Sequence, residues 1–151
     1  MEETLEIYGD MLYRLCLVML GNTSDAEDAV QETFLTYIKK TPVFKDSEHE
    51  KAWLITVASN KCRDMLRLNK RRPMIDLNCI EAVSDEVHDS GIIEALMLLP
   101  EKYKLVLELY YVEEYRIDEI AKMINRTPSA VKMRLQKGRR LLAEKYREEC
   151  I

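Results

Sequence analysis

The chain has little of what builds sheets, metal centres or membrane spans. Its 151 residues include only four Gly, four Pro, two Phe and one Trp. Few stretches are β-branched and alternating, which excludes a substantial sheet and predicts an all-α protein. Two His and four Cys (positions 16, 62, 79 and 150), with no Cys-x-x-Cys, supply no metal-ligand set. Scattered thiols of this kind belong to a reducing compartment. No apolar run approaches membrane-spanning length, and the acidic start (Glu2, Glu3, Glu6) is unlike a signal peptide. The expectation is a cytoplasmic protein without membrane insertion. A phosphate-cradling Gly loop is absent, as is a carboxylate cluster on a basic cleft, so neither an enzyme nor a cofactor is expected.

What the chain does have is charge: 33% of residues are charged, for a net charge of −4. Residues 1–50 carry 4 basic and 11 acidic side chains, net −7; residues 51–72 carry 7 and 1, net +6. Residues 73–100 carry 0 and 6, net −6; residues 101–151 carry 12 and 9, net +3. Two basic blocks separated by an acidic one suggest two nucleic-acid contacts joined by a segment that avoids the duplex.

Apolar residues at helical spacing predict the elements. A first helix over 3–20 has Leu5, Tyr8, Leu12, Leu15 and Met19 on one face and stops at Gly21. Ser24 with Glu27 forms a capping box for a second helix to about Lys40, with Ala26, Ala29, Val30, Thr33, Phe34, Tyr37 and Ile38 inward. Its exposed side carries Asp28, Gln31 and Glu32, which composition alone reads equally well as a solvated face. Ser47 with Glu50 opens a third helix, from about Glu48 to Arg71, packed through Trp53, Leu54, Val57, Ala58, Cys62, Met65 and Leu66. Thr56, Asn60, Arg63 and Arg67 lie near one another on it. Asn can donate to and accept from a base edge, and Arg holds phosphates or bases, although a lone mid-helix Asn is more simply a satisfied amide. Residues 73–91, without sustained period or any base, read as a flexible linker. A short helix over Ile92–Leu99 and one after Pro100, with Tyr103, Val106, Leu107, Tyr110 and Tyr111 inward, lead to the final motif.

That motif is RIDEIAKMINRTPSAVKMRLQKGRRLLAE (116–144). Ile117, Ile120, Ala121 and Ile124 mark one helix; Asn125 and Arg126 interrupt it. Thr127 as N-cap and Pro128 at the first helical position open a second, from Pro128 to about Tyr146, with Val131, Leu135, Leu141 and Leu142 inward. This is the sequence form of a helix-turn-helix. Ser129, Lys132, Met133, Gln136, Lys137 and Arg140 fall on the opposite face, in a stretch (126–147) holding eight basic residues and one acid. Such a helix enters the major groove, and its cations displace counterions from phosphates. The plainer alternative is a solvated face on an ordinary three-helix domain.

Three blocks carry a family resemblance over nearly the whole chain: DAEDAVQETFL (25–35), WLITVASNKCRDMLR (53–67) and LLPEKYKLVLELYYVEEYRIDEIAKMINRTPSAVKMRLQKGRRLL (98–142). In this order they resemble a bacterial RNA polymerase sigma factor of the small extracytoplasmic-function (ECF) group of the sigma-70 family. The resemblance implies a region 2 helical bundle over 1–72 and a region 4 helix-turn-helix over 92–151, joined by the 73–91 linker. It implies that Asp28, Gln31 and Glu32 grip the β′ clamp coiled coil of core polymerase. Asn60 would engage an unstacked base of the minus-ten element, with Thr56, Arg63, Asp64 and Arg67 on the same surface and the 42–46 loop holding the flipped base. Lys132, Met133, Gln136 and Lys137 would lie near minus-thirty-five bases, with Arg134 and Arg140 nearer the phosphates and Ser129 on the same DNA-binding face. Core RNA polymerase (β′ clamp and β flap), promoter DNA and an inhibitory anti-sigma factor are the implied partners. Met133 and Gln136 depart from the charged or small residues expected there, so the promoter sequence does not transfer. Gly138 replaces a better helix former, at up to ~1 kcal/mol. The competing reading is a dimeric helix-turn-helix regulator without sigma activity.

Overall fold

The computed structural model describes residues 2–69 and 90–149, and no strand occurs among them. The chain divides into two compact units, Met1–Cys79 and Ile80–Ile151. Most of the expected linker lies outside the described residues. Its last two positions, Ser90 and Gly91, already belong to a helix.

In the first unit, α1 (Glu2–Leu20), α2 (Thr23–Lys40) and α3 (Ser47–Asn69) pack against one another. The expected stripe on α1 gives way after its midpoint to burial all round: Leu15, Cys16, Leu17, Val18, Met19 and Leu20 are all in the core. A segment apolar on every side has nowhere else to go. Leu5, assigned to the inner face, is instead 51% exposed. Gly21 ends α1 with φ 78°, a conformation that suits glycine.

The next residue, Asn22, is extended and caps α2: its Oδ1 accepts from the Asp25 N–H at 2.8 Å. The cap is therefore Asn22 rather than Ser24, because the glycine turn delivers the chain to position 22 already in the geometry an N-cap needs. At the other end Thr41 is left-handed (φ 40°) and returns its N–H to the Tyr37 carbonyl at 3.0 Å. Pro42 follows, and the residue before a proline is disfavoured in the helical region.

The helix α3 is capped by Asp46, whose Oδ1 accepts from the His49 N–H at 2.8 Å. The expected Ser47–Glu50 box does not form; the Glu50 carboxylate accepts from the Tyr37 hydroxyl at 2.7 Å instead. Tyr37, Phe44 and Trp53 pack in mutual tilted and edge-to-face contact, with centroids 5.7 to 6.0 Å apart, and the His49 ring lies 5.3 Å from Phe44. This cluster pins the 41–46 loop between α2 and α3. Ile55, absent from the expected α3 face, is fully buried.

In the second unit, α4 (Ser90–Met97), α5 (Glu101–Leu107) and α6 (Ile117–Ile124) all pack on α7 (Pro128–Glu149). A π-helical turn, Glu108–Val112, continues α5. It rotates the chain enough that Tyr111, expected inside, is 55% exposed. Asn125 ends α6 in the left-handed region (φ 56°), and the Thr127 hydroxyl accepts from the Ala130 N–H at 3.1 Å, as a cap should. Val131 and Leu135 are buried, whereas Leu141 and Leu142 are only half-buried. Gly138 is buried as well. A Cβ there would stand 3.2 Å from Leu107 Cδ1 and 3.5 Å from Tyr103 Cβ, so the glycine lets α5 and α7 approach closely.

Candidate functional site

Three exposed faces carry the residues singled out from the sequence. The first is on α7. Ser129, Lys132, Met133, Gln136, Lys137 and Arg140 are all exposed, and Arg134 at the edge is half-buried. Met133 is 69% exposed, a large apolar side chain held in solvent by a well-packed helix. Beside this face runs an open groove of about 520 Å³, walled by Lys102 and Tyr103 of α5 and by Met133, Gln136, Lys137 and Arg140 of α7. Lys102 Nζ lies 5.1 Å and Lys137 Nζ 5.5 Å from the Tyr103 ring centroid. The Lys137 hydrogen bond, more than the two ammonium charges, holds the Tyr103 phenol below its ordinary pKa against the opposing effect of burial. On the same helix Arg139 turns elsewhere: its Nε donates to the Tyr111 hydroxyl at 2.6 Å, and its guanidinium lies over Tyr110 and Tyr111.

A second face lies on α3. Asn60, Asp64 and Arg67 are exposed, and Thr56 and Arg63 are half-buried. The Thr56 hydroxyl donates to the Ala52 carbonyl at 2.8 Å, an internal helix bond that fixes its rotamer. Arg63 Nη2 donates to Asn60 Oδ1, and Arg67 Nη2 to Asp64 Oδ1 at 3.0 Å. The Asn60 carbonyl is thus engaged by a cation and its amide NH₂ is left to donate outward. The loop assigned to base capture stands on the aromatic cluster, with Val43 at its tip 92% exposed. Within it the Lys45 N–H donates to His49 Nδ1 at 3.2 Å.

On α2, Asp28, Gln31 and Glu32 share one exposed face. Leu35 and Ile38, the second of them expected on the inner side, are 58% and 54% exposed. At 100° per residue Leu35 falls in the middle of the Asp28/Gln31/Glu32 stripe and Ile38 at its edge. The helical wheel alone places Leu35 there. The tendency of apolar side chains to be buried runs only one way, and Ile38 is an exception to it.

Sequence comparison decides between the open readings. A family model for Sigma-70 region 2 matches residues 5–72, and one for Sigma-70, region 4 matches residues 91–142. The RNA polymerase sigma factor SigV of Bacillus subtilis is 30% identical, over 86% of this chain and 81% of its own length. This chain belongs to the sigma-70 family, in the ECF group. The ECF RNA polymerase sigma factor SigW of Bacillus subtilis is 29% identical over 97% of this chain and 88% of its own. Among solved structures, the sigma factor RpoE, crystallised with the anti-sigma factor NepR from Bartonella quintana, matches with a TM-score of 0.75 at 19% identity. The match covers 97% of this chain and 96% of that one, and it shows the shared fold. The protein is thus a sigma factor, a DNA-binding subunit that directs transcription initiation by RNA polymerase. The self-pairing regulator is not favoured. Among the described residues no helix of this sigma factor is long and apolar enough to cross a membrane.

Proposed function

We propose that the three faces divide the work of promoter opening. Asp28, Gln31 and Glu32, with Leu35 and Ile38 beside them, form the surface that grips the β′ clamp of core polymerase. Asn60, flanked by Thr56, Arg63, Asp64 and Arg67, engages an unstacked minus-ten base, and the 42–46 loop holds it. Ser129, Lys132, Met133 and Gln136 face minus-thirty-five bases, while Arg134 and Arg140 hold phosphates. Lys137 belongs to this face too. Region 2 then corresponds to residues 1–72, the linker to 73–91, and region 4, which also meets the β flap, to 92–151. The factor works in the cytoplasm and has no catalysis of its own. An anti-sigma factor is its natural inhibitor, a reading supported by the complex in which its structural neighbour was solved.

The observation that carries this reading is the α2 face. Two large apolar side chains stand exposed among acidic and amide groups on a helix whose other side is packed. An apolar patch rimmed by polar residues marks a protein interface. The melted strand is held by offsetting the unstacking energy with stacking, hydrogen bonds and phosphate neutralisation. The test uses two variants. Gln31→Ala/Glu32→Ala should weaken holoenzyme assembly at least several-fold. Asn60→Ala should assemble normally yet impair strand opening, read by permanganate footprinting. Normal transcription by both would refute these assignments.

A further inference from the structure

The groove between α5 and α7 contains a charge arrangement that base reading does not require. Four of its lining side chains, Lys102, Arg134, Lys137 and Arg140, are cationic and none is acidic. Two of these cations crowd one ring, with Nζ atoms 5.1 and 5.5 Å from the Tyr103 centroid. The Lys102 and Lys137 charges repel one another, and an anion between them relieves the repulsion. Tyr103 is only 6% exposed, so its ring is fixed by packing. A lysine is a flexible point charge on a four-carbon stem, and a fixed hydroxyl decides where its ammonium rests. Here the Lys137 ammonium lies 5.5 Å from the centre of the Tyr103 ring on α5, and Lys132, Met133 and Gln136 stand exposed along α7.

We propose that Lys137 and Lys102 together clamp one backbone phosphate of the upstream promoter duplex across Tyr103, and that Tyr103 is the positioning residue that withdraws Lys137 from base reading. Sequence preference at the minus-thirty-five element then rests on Lys132, Met133 and Gln136. The proposal rests on the reading of α7 as the helix that enters the major groove.

The test uses holoenzyme assembled from core polymerase and the full chain. The probe is a promoter duplex selected by wild-type holoenzyme from a random pool, together with its single-base-pair variants. Lys137→Ala and Lys102→Ala should each weaken binding to every duplex by the same factor. Each should lower the slope of log affinity against log salt by about 0.9, the loss of one phosphate contact. The double variant should lose less than the product of the two, because the phosphate is shared. Tyr103→Phe keeps the ring, and in that background Lys137→Ala should cost fewer-fold than in wild type. If Lys137→Ala relaxes preference at one base pair and leaves the salt slope intact, the clamp is wrong. If its cost is the same with Phe at 103, Tyr103 has no positioning role. Should Lys132→Ala and Gln136→Ala also change no base preference, the reading of α7 falls and the clamp with it.

Discussion

At the scale of single residues, the least expected features are charged or missing side chains inside the second unit. Lys104 and Glu108 are each 2% exposed and stand four residues apart, with the Glu108 N–H bonded to the Lys104 carbonyl. The Lys104 ammonium also reaches the Met97 carbonyl at 3.4 Å. Charges persist in a core only when compensated, so both side chains depend on partners there. Glu108→Ala should therefore cost about 3–5 kcal/mol in denaturant unfolding, the range for removing one charge from a compensated buried site. Replacing both, by Lys104→Met with Glu108→Leu, should recover most of that loss. Gly138 looks from the sequence like a weak point in a helix. The 3.2 Å approach of Leu107, itself buried, reverses that reading. Gly138→Ala should yield no net gain, since up to ~1 kcal/mol of helix propensity is opposed by overpacking. Gly138→Val should lose on the order of 2 kcal/mol, measured the same way.

At the scale of the element, boundaries depend on caps, and caps depend on what the preceding turn delivers. Thr127 was legible because Thr-Pro before an apolar period has few other readings. Asn22 was not, because Ser24 with Glu27 satisfies the same pattern, and only the left-handed Gly21 decides which residue stands at the helix mouth. Asn22→Ala should thus destabilise the first unit by about 1 kcal/mol, while Ser24→Ala should change its midpoint little. The π-helical turn was equally hidden. It takes Tyr111 out of the core and sets it against Arg139, a long-range contact that no local period encodes. On α2 the periodicity was right and the inference from polarity was wrong, since Leu35 and Ile38 obey the wheel but not the rule that apolar side chains go inside.

For the whole molecule, the two units should respond differently to alkali. In the first, the Tyr37 hydrogen bond to Glu50 raises the tyrosine's pKa. Burial, followed by the Glu50 charge, raises that of Tyr8, whose hydroxyl donates to the Ser47 carbonyl. A tyrosine with a raised pKa in the folded state contributes stability in full below its unfolded value of about 10, and loses it as pH climbs through the folded value. Tyr103 in the second unit is shifted the other way, so its contribution grows as pH rises through its lowered value. Thermal unfolding between pH 9 and about 11 should show the first unit weakening more steeply, and Tyr8→Phe/Tyr37→Phe should flatten that loss. An unchanged slope would mean the two phenols are not coupled to folding. The sequence by itself determined the all-α class, two units, the helix-turn-helix and the family, because these depend on periodicity, turn chemistry and motif order along the chain. It also placed the three polar faces, which follow from helical spacing once a buried side is known. Only the tertiary structure decided which glycine turn sets a cap, which apolar residues remain exposed, and that Lys137 on one helix lies beside Tyr103 on another. Those are contacts between residues distant in the chain, and a one-dimensional pattern has no term for them.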